Sequence, residues 1–243
     1  MSRLTLLGTG TCQIEHERRA SSVLVELDGF LILFDCGHGV LQRLLEAGIQ
    51  HNMLDHIVVS HFHPDHVSDL IPFLQAGAWS QRDPRTSDVH IYGPAGLQHF
   101  INGLLTLFTP SSFMQPGYNI HVHEIPTPLF SIGPYFFDFV SLPPAGNHGL
   151  RFTWNGRHYA ITGDSHFHER EVDFLSGVDL AIIDAGHLQD EEIVQLAARS
   201  QAKQIICSHL YRELDEHTLQ EQAKDAGYTG TILVGCDLMT FVL

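Results

Sequence analysis

Apolar and polar positions along this chain follow two rhythms, one with the period of a strand and one with the period of a helix. Short apolar, β-branched runs predict strands at 4–7, 22–27, 30–34, 57–60, 89–92, 180–183, 204–207, 231–234 and 239–242. Asp28-Gly29, between the second and third of these, is a strong two-residue hairpin signal. Asn155-Gly156 repeats it between 152–154 and 158–161. A period near 3.6 predicts helices over 40–47 (stopped by Gly48), 67–76, 97–107 (after a Gly93-Pro94 turn), 191–198 and 214–226. Residues 119–142 alternate like strands. There is no internal repeat and no linker-like run. Strands followed by helices, in both halves, predict helices covering sheets. Two mixed sheets between helix layers satisfy that pattern, although periodicity alone does not single it out from other α/β folds.

Composition narrows the picture. The 243 residues, 44% hydrophobic and 17% charged, suit a globular chain with room for one large domain or two small ones. No stretch has the apolar length that crosses a bilayer. The first apolar run is broken by Gly8 and Gly10, too early for a signal-peptide core, so a cytoplasmic location is expected. Cys12, Cys36, Cys207 and Cys236 lie far apart with no CxxC pair, which predicts buried, reduced thiols. A formal charge of −15 argues against a broad surface for long nucleic acid, which needs clustered Lys and Arg. The unusual number is histidine, 18 of 243.

Three of those histidines fall in His61-Phe62-His63-Pro64-Asp65-His66, directly after an apolar strand. Residues two apart at a strand end point the same way, so His61 and His63 can converge on one cation. Pro64 favours a helix start, and its first turn carries Asp65 and His66 towards a second cation. Zinc accepts both imidazole nitrogen and carboxylate oxygen. Three further candidates sit at strand ends or among small residues: Asp164 in Ile161-Thr162-Gly163-Asp164, His209 in Cys207-Ser208-His209, and His148 in the loop Ala145-Gly146-Asn147-His148-Gly149. Each alone would pass for an ordinary turn residue.

Together these segments resemble the metallo-β-lactamase superfamily, and within it the ribonuclease Z-like branch. The HxHxDH signature stands whole at 61–66. Leu6-Leu7-Gly8-Thr9-Gly10 resembles the family's opening strand and loop, and Phe34-Asp35-Cys36-Gly37-His38-Gly39 its FDCGEG segment with His38 for Glu. Tyr92-Gly93-Pro94-Ala95-Gly96 resembles its YGPxG turn, Thr162-Gly163-Asp164-Ser165 its GDT/GDS segment, and residues 202–210 its last ligand strand. The resemblance implies a single domain over 1–243 with a four-layer αββα sandwich, two mixed sheets between helix layers. It implies two divalent metal ions, zinc first, with manganese or iron as alternatives. His61, His63 and His148 would hold one ion, Asp65, His66 and His209 the other, and Asp164 would bridge. Asp35 would orient the histidine loop from beneath. A homodimer is implied by the same analogy.

Two departures bear on the substrate. Ribonuclease Z inserts a long basic arm between the His148 and Asp164 positions, whereas here the gap is 164 − 148 = 16 residues with a hairpin signal inside it. The family's HEAT segment is replaced by Ile182-Ile183-Asp184-Ala185-Gly186-His187, where Asp184 and His187 can supply the proton relay. Two cations sharing a water lower its pKa and neutralise charge on a phosphoester, with Asp65 orienting the nucleophile. The expected substrate is therefore a small phosphodiester or nucleotide. Ester, lactone or thioester hydrolysis, RNA 3′ processing, iron redox chemistry and a non-catalytic metal-binding protein are the alternatives. His166 and Arg212 are candidates for substrate contact, each also readable as a plain surface residue. His121 and His123 read as a solvated strand face, and His38, His51, His56, His90, His99, His158 and His217 as structural. Phe108 and Phe113, in the stretch 108–118, suggest a pocket wall or a dimer contact.

Overall fold

The computed structural model describes residues 2–108, 117–126 and 128–243, so Phe113 lies outside the described residues. Contacts divide the chain into two compact units, Met1–Pro126 with Asp237–Leu243, and Thr127–Cys236.

The first unit carries β1 (Arg3–Gly8), β2 (Ser22–Leu27), β3 (Phe30–Phe34), α1 (Val40–Glu46), β4 (His56–Val58), α2 (Pro64–Val67), α3 (Leu70–Trp79), β5 (Val89–Gly93), α4 (Leu97–Leu107), β6 (Ile120–Glu124) and the last strand of the chain, β14 (Thr240–Val242). Its seven-stranded sheet runs β14-β1-β2-β3-β4-β5-β6. The first three pairings are antiparallel and the last three parallel. Asp28 and Gly29 make the β2–β3 turn with φ of 49° and 87°, the left-handed pair that a two-residue hairpin requires. Alternate strand residues Leu7, Leu24, Leu33, Ile57, Val89 and Ile91, with Val59 just past β4, meet Val40 and Leu44 of α1, Phe73 of α3, and Leu97 and Ile101 of α4 in one apolar core. Asp237 ties the returning C-terminal segment to the first loop. Its carboxylate accepts from Thr9 N–H at 2.9 Å, Arg19 N–H at 2.8 Å and Arg43 Nε–H at 3.0 Å.

The second unit carries β7 (Leu129–Ile132), β8 (Tyr135–Leu142), β9 (Asn147–Trp154), β10 (Arg157–Ile161), α5 (Glu169–Leu175), β11 (Leu180–Asp184), α6 (Asp190–Ser200), β12 (Gln204–Ser208), α7 (Glu216–Asp225) and β13 (Thr231–Val234). Its sheet runs β13-β12-β11-β10-β9-β8-β7. Again three pairings are parallel and three antiparallel. Val172 and Leu175 of α5, Ile193 and Leu196 of α6, and Leu219 of α7 pack on Ala181, Ile183, Ile205, Cys207 and Ile232.

Two mixed sheets with flanking helices are thus present, as the pattern predicted. The differences have local causes. The single helix expected over 67–76 is two, because Asp69 leaves the helical ladder to bind the loop before it: its N–H donates to Cys36 O at 3.0 Å and its Oδ2 accepts from Leu41 N–H at 3.1 Å. α5 was not foreseen; its short sequence carries too few turns for a clear period. β9 begins at Asn147, well before the expected 152, so His148 lies in a strand paired with Ser141 and not in a loop. Cys36 and Cys207 are buried as expected, whereas Cys12 and Cys236 are exposed. Among the described residues no helix is long and apolar enough to cross a membrane.

Glu171 of α5 is fully buried, and burial lifts its carboxyl to about pH 8. The unfolded chain therefore holds fewer protons than the folded one between its ordinary value of 4.5 and about 8. Stability should fall as pH rises through that window. Glu171→Gln should flatten the fall and raise Tm above pH 8. A melting temperature that is equally pH-dependent in wild type and variant would remove Glu171 as the cause.

Candidate metal centre

In the first unit the histidine motif is held by one carboxylate. Asp35, at the end of β3, sits in the left-handed region with φ 63° and is 2% exposed. Its Oδ1 accepts from Ser60 N–H and its Oδ2 from Ser60 Oγ–H, both at 2.7 Å. Oδ2 also lies 2.8 Å from His66 Nδ1. A carboxylate only accepts, so His66 carries its proton on Nδ1 and presents a lone pair at Nε2. Ser60 Oγ–H is spent as the donor to Asp35, so Ser60 Oγ accepts from His61 Nδ1 at 2.9 Å. His61 therefore also presents Nε2. The His61 ring is 4.4 Å from that of His63 and 4.2 Å from that of His66. Asp65 is buried, with Oδ2 3.8 Å from His66 Nε2. His63 is exposed and stands at the N-terminus of α2, where Pro64 needs no backbone donor.

The FDCG segment makes this turn fit. Cys36 N–H donates to His66 O at 2.8 Å. A Cβ on Gly37 would come within 1.6 Å of Asp65 O, so no side chain is tolerated there.

In the second unit Asp184, at the end of β11, plays the same part. Its Oδ2 accepts from Ser165 N–H at 2.8 Å and from His187 Nδ1 at 2.7 Å. Its Oδ1 accepts from Gly186 N–H at 2.9 Å and faces His209 Nδ1 at 3.2 Å. With Nδ1 of His209 turned to one carboxylate, its Nε2 lies 3.4 Å from Asp164 Oδ1. A lone pair and a carboxylate oxygen facing each other at that range suit a cation between them. Asp164, Asp184, His187 and His209 each offer a donor atom within 4.8 Å of the others. His209 has φ 55°, and a Cβ on Gly186 would meet His209 O at 2.1 Å, so the 184–187 turn needs its glycine.

Burial opposes the Asp184 charge, but hydrogen bonds from His187 and His209 outweigh it and hold the carboxyl below its ordinary value. The hydrogen bond to Asp184, partly offset by burial, holds the His187 imidazole above its ordinary value. His187 is thereby biased towards its protonated form.

The remaining candidates are placed as follows. His148 stacks flat on Phe139 at 4.4 Å with Nδ1 3.2 Å from Gly146 O, and its carbonyl accepts from Gly163 N–H at 3.2 Å. It is not among the four convergent donors of this unit. His166 is exposed, its ring 5.5 Å from that of His187. His168 caps α5 by accepting from Arg170 N–H at 3.2 Å. Arg212 is exposed, and its guanidinium donates to Ala185 O at 3.3 Å and Leu188 O at 3.2 Å and pairs with Asp190. Sequence reasoning passed over Ser60, Thr162 and Ser165. Thr162 Oγ1 accepts from Asp184 N–H at 2.8 Å. The available signal was a small hydroxyl residue beside each ligand, in Ser60-His61 and Thr162-Gly163-Asp164-Ser165.

Known proteins resemble this chain in sequence and in fold. A family profile described as Anti-Pycsar protein Apyc1 matches residues 2–101. Ribonuclease Z of Pyrococcus abyssi is 35% identical over 127 residues, 52% of this chain and 39% of that protein. The matched stretch thus spans about two fifths of the length of that relative. Among solved structures, the metallo-β-lactamase fold protein YhfI of Bacillus subtilis superposes with a TM-score of 0.81 at 21% identity, covering 99% of this chain and 98% of that one. A diphosphatase of the PhnP family gives 0.74 at 19%, covering 100% and 98%. The chain has the metallo-β-lactamase fold. In sequence, the likeness to ribonuclease Z extends over about half of this chain.

Asp35→Asn should lower zinc affinity about 10–100-fold by releasing the His66 and His61 tautomers. Competition against a chromogenic chelator measures it, with circular dichroism to confirm folding. An unchanged affinity in a folded variant would separate Asp35 from metal binding.

Proposed function

We propose that this chain is a dinuclear metal-dependent phosphodiesterase acting on a small phosphodiester or nucleotide. The observation that carries the reading is the enforced tautomer of its motif histidines: Asp35 and Ser60 hold Nδ1 of His66 and His61, so both direct Nε2 as ligands. In this reading His61, His63 and His148 would hold one cation, Asp65, His66 and His209 would hold the other, and Asp164 would serve both. Zinc suits the nitrogen and oxygen donors, and manganese or iron would also be accepted. When bound, two such ions supply an activated water and neutralise phosphate charge.

The protein's own groups do the rest. Asp65 orients the nucleophile, since one carboxylate oxygen can ligate while the other accepts a hydrogen bond. His187, biased towards its protonated form by the hydrogen bond to Asp184, donates to the departing oxygen. His166, beside His187, and Arg212 are the substrate contacts of this reading. The Arg212 guanidinium is held in place for that contact by Ala185 O, Leu188 O and Asp190.

A small substrate is favoured by two features. Residues between His148 and Asp164 are used up by the β9–β10 hairpin, and the formal charge of −15 disfavours long nucleic acid. The likeness to ribonuclease Z favours RNA 3′ processing as the second reading.

The test loads purified chain with Zn²⁺, Mn²⁺ or Fe²⁺ and offers bis-p-nitrophenyl phosphate, cyclic nucleotides, a precursor tRNA and a p-nitrophenyl ester. Turnover of the phosphodiesters is expected. Cleavage of precursor tRNA alone would replace the reading with the second, ester turnover alone would move it to carboxyl chemistry, and no turnover would leave a metal-binding protein. His187→Ala should lower kcat about 10²–10⁴-fold on a poor leaving group and much less on p-nitrophenolate. An equal loss on both would remove the proton-donor role. Asp164→Ala should abolish most activity while moving Tm little, and unchanged turnover would remove the bridge.

A further inference from the structure

One buried acid takes no part in the chemistry described so far. Glu171 is fully buried on α5, a helix fixed to its sheet by Val172 and Leu175. The charged groups that face it are both acidic, Asp184 at the end of β11 and Glu192 on α6. An ionised carboxylate at that depth, with no cation beside it, is strongly disfavoured, so Glu171 is an uncharged acid at neutral pH. Burial, the largest cause, lifts its carboxyl to about 8.

Its hydrogen-bonding neighbour is Ser165, which is likewise fully buried. Neither carboxyl oxygen of Glu171, nor Ser165 Oγ, finds a partner among the other described residues. The two groups are complementary only if Glu171 keeps its proton. A carboxylic acid donates through its O–H and accepts at its carbonyl, and a hydroxyl can answer both. Glu171 O–H then donates to Ser165 Oγ, Ser165 Oγ–H donates to the Glu171 carbonyl, and no donor is left over. A carboxylate could only accept, and Ser165 Oγ would receive nothing.

Ser165 is a sensitive place for such a clamp. It directly follows Asp164. Its N–H donates to Asp184 Oδ2 at 2.8 Å, the same oxygen that meets His187 Nδ1 at 2.7 Å. Asp184 Oδ1 faces His209 Nδ1 at 3.2 Å. The placing of one serine thus bears on Asp164, His187 and His209 together.

We propose that Glu171 is a positioning residue for the candidate centre: as a neutral acid it clamps Ser165 from α5 and so fixes the aim of Asp164 and Asp184. It acts through Ser165 and not on the substrate. Its consequence for catalysis rests on the phosphodiesterase reading above. Its structural consequence, a Ser165 amide locked onto Asp184, does not.

Two substitutions separate a clamp from the filling of space. Glu171→Gln keeps a donor and an acceptor in the same shape, whereas Glu171→Met keeps the bulk and loses both. In metal-free protein, amide hydrogen exchange at Ser165, read by nuclear magnetic resonance, should match wild type in Glu171→Gln. In Glu171→Met it should quicken about tenfold, with the amides of β11 and β12 unchanged. In zinc-loaded protein Glu171→Met should lower kcat about tenfold at an unchanged KM on the phosphodiester that wild type turns over, and Glu171→Gln should restore it. Should Glu171→Met fold poorly, Ser165→Ala removes the other half of the clamp and should give the same loss of kcat and the same quickening of the amide at its own position. Wild-type exchange at Ser165 in a folded Glu171→Met variant would overturn the clamp, whatever its kcat. Quickened exchange with an unaltered kcat would overturn its bearing on catalysis. If wild type turns over no phosphodiester, the phosphodiesterase reading falls, and exchange at Ser165 still decides for or against Glu171.

Discussion

A buried carboxylate that fixes the protonated edge of an imidazole is the interaction on which the candidate chemistry depends. Asp35 does this for His66 directly and for His61 through Ser60. Asp184 does it for His187, and faces Nδ1 of His209. A histidine has two nitrogens and an uncommitted tautomer. Pinning Nδ1 leaves Nε2 as the ligand and fixes the plane of the ring. Without the carboxylates the same histidines would be mobile bases with no common aim.

This arrangement has a cost that the surrounding fold offsets. Asp35 and Asp184 are 2% and 3% exposed, and a charge at that depth is tolerated only with its lone pairs satisfied. Asp35 takes two bonds from Ser60 and one contact from His66, and Asp184 takes backbone donors from Ser165 and Gly186 as well as His187. The backbone is also bent into the left-handed region at Asp35 and at His209. Such positions persist where neighbouring structure over-determines them, and they concentrate at functional sites. Gly37 and Gly186 make the bends admissible, because any side chain there would strike the backbone of Asp65 or His209.

The histidine excess divides along these lines. One group is oriented by carboxylates at strand ends. A second group, His56, His90, His121 and His123, is brought together by strand register alone. The first group lies where strands stop, which is where α/β sheets leave room for polar groups; the second runs across β4, β5 and β6.

The sequence by itself determined the alternation of strands and helices, both hairpin turns, and the candidate metal motif. These are local matters: period, turn chemistry, and ligands packed within six residues at 61–66. The tertiary structure decided what depends on pairing across long separations. Asp35 reaches Ser60 over 25 residues, His90 reaches His123 over 33, and Asp237 returns to Thr9 over 228. It also split one expected helix at Asp69 and drew His148 into a strand, because hydrogen bonds from distant segments outcompeted local preference there. A periodicity cannot report a partner that lies outside its window, and strand register is set by just such partners.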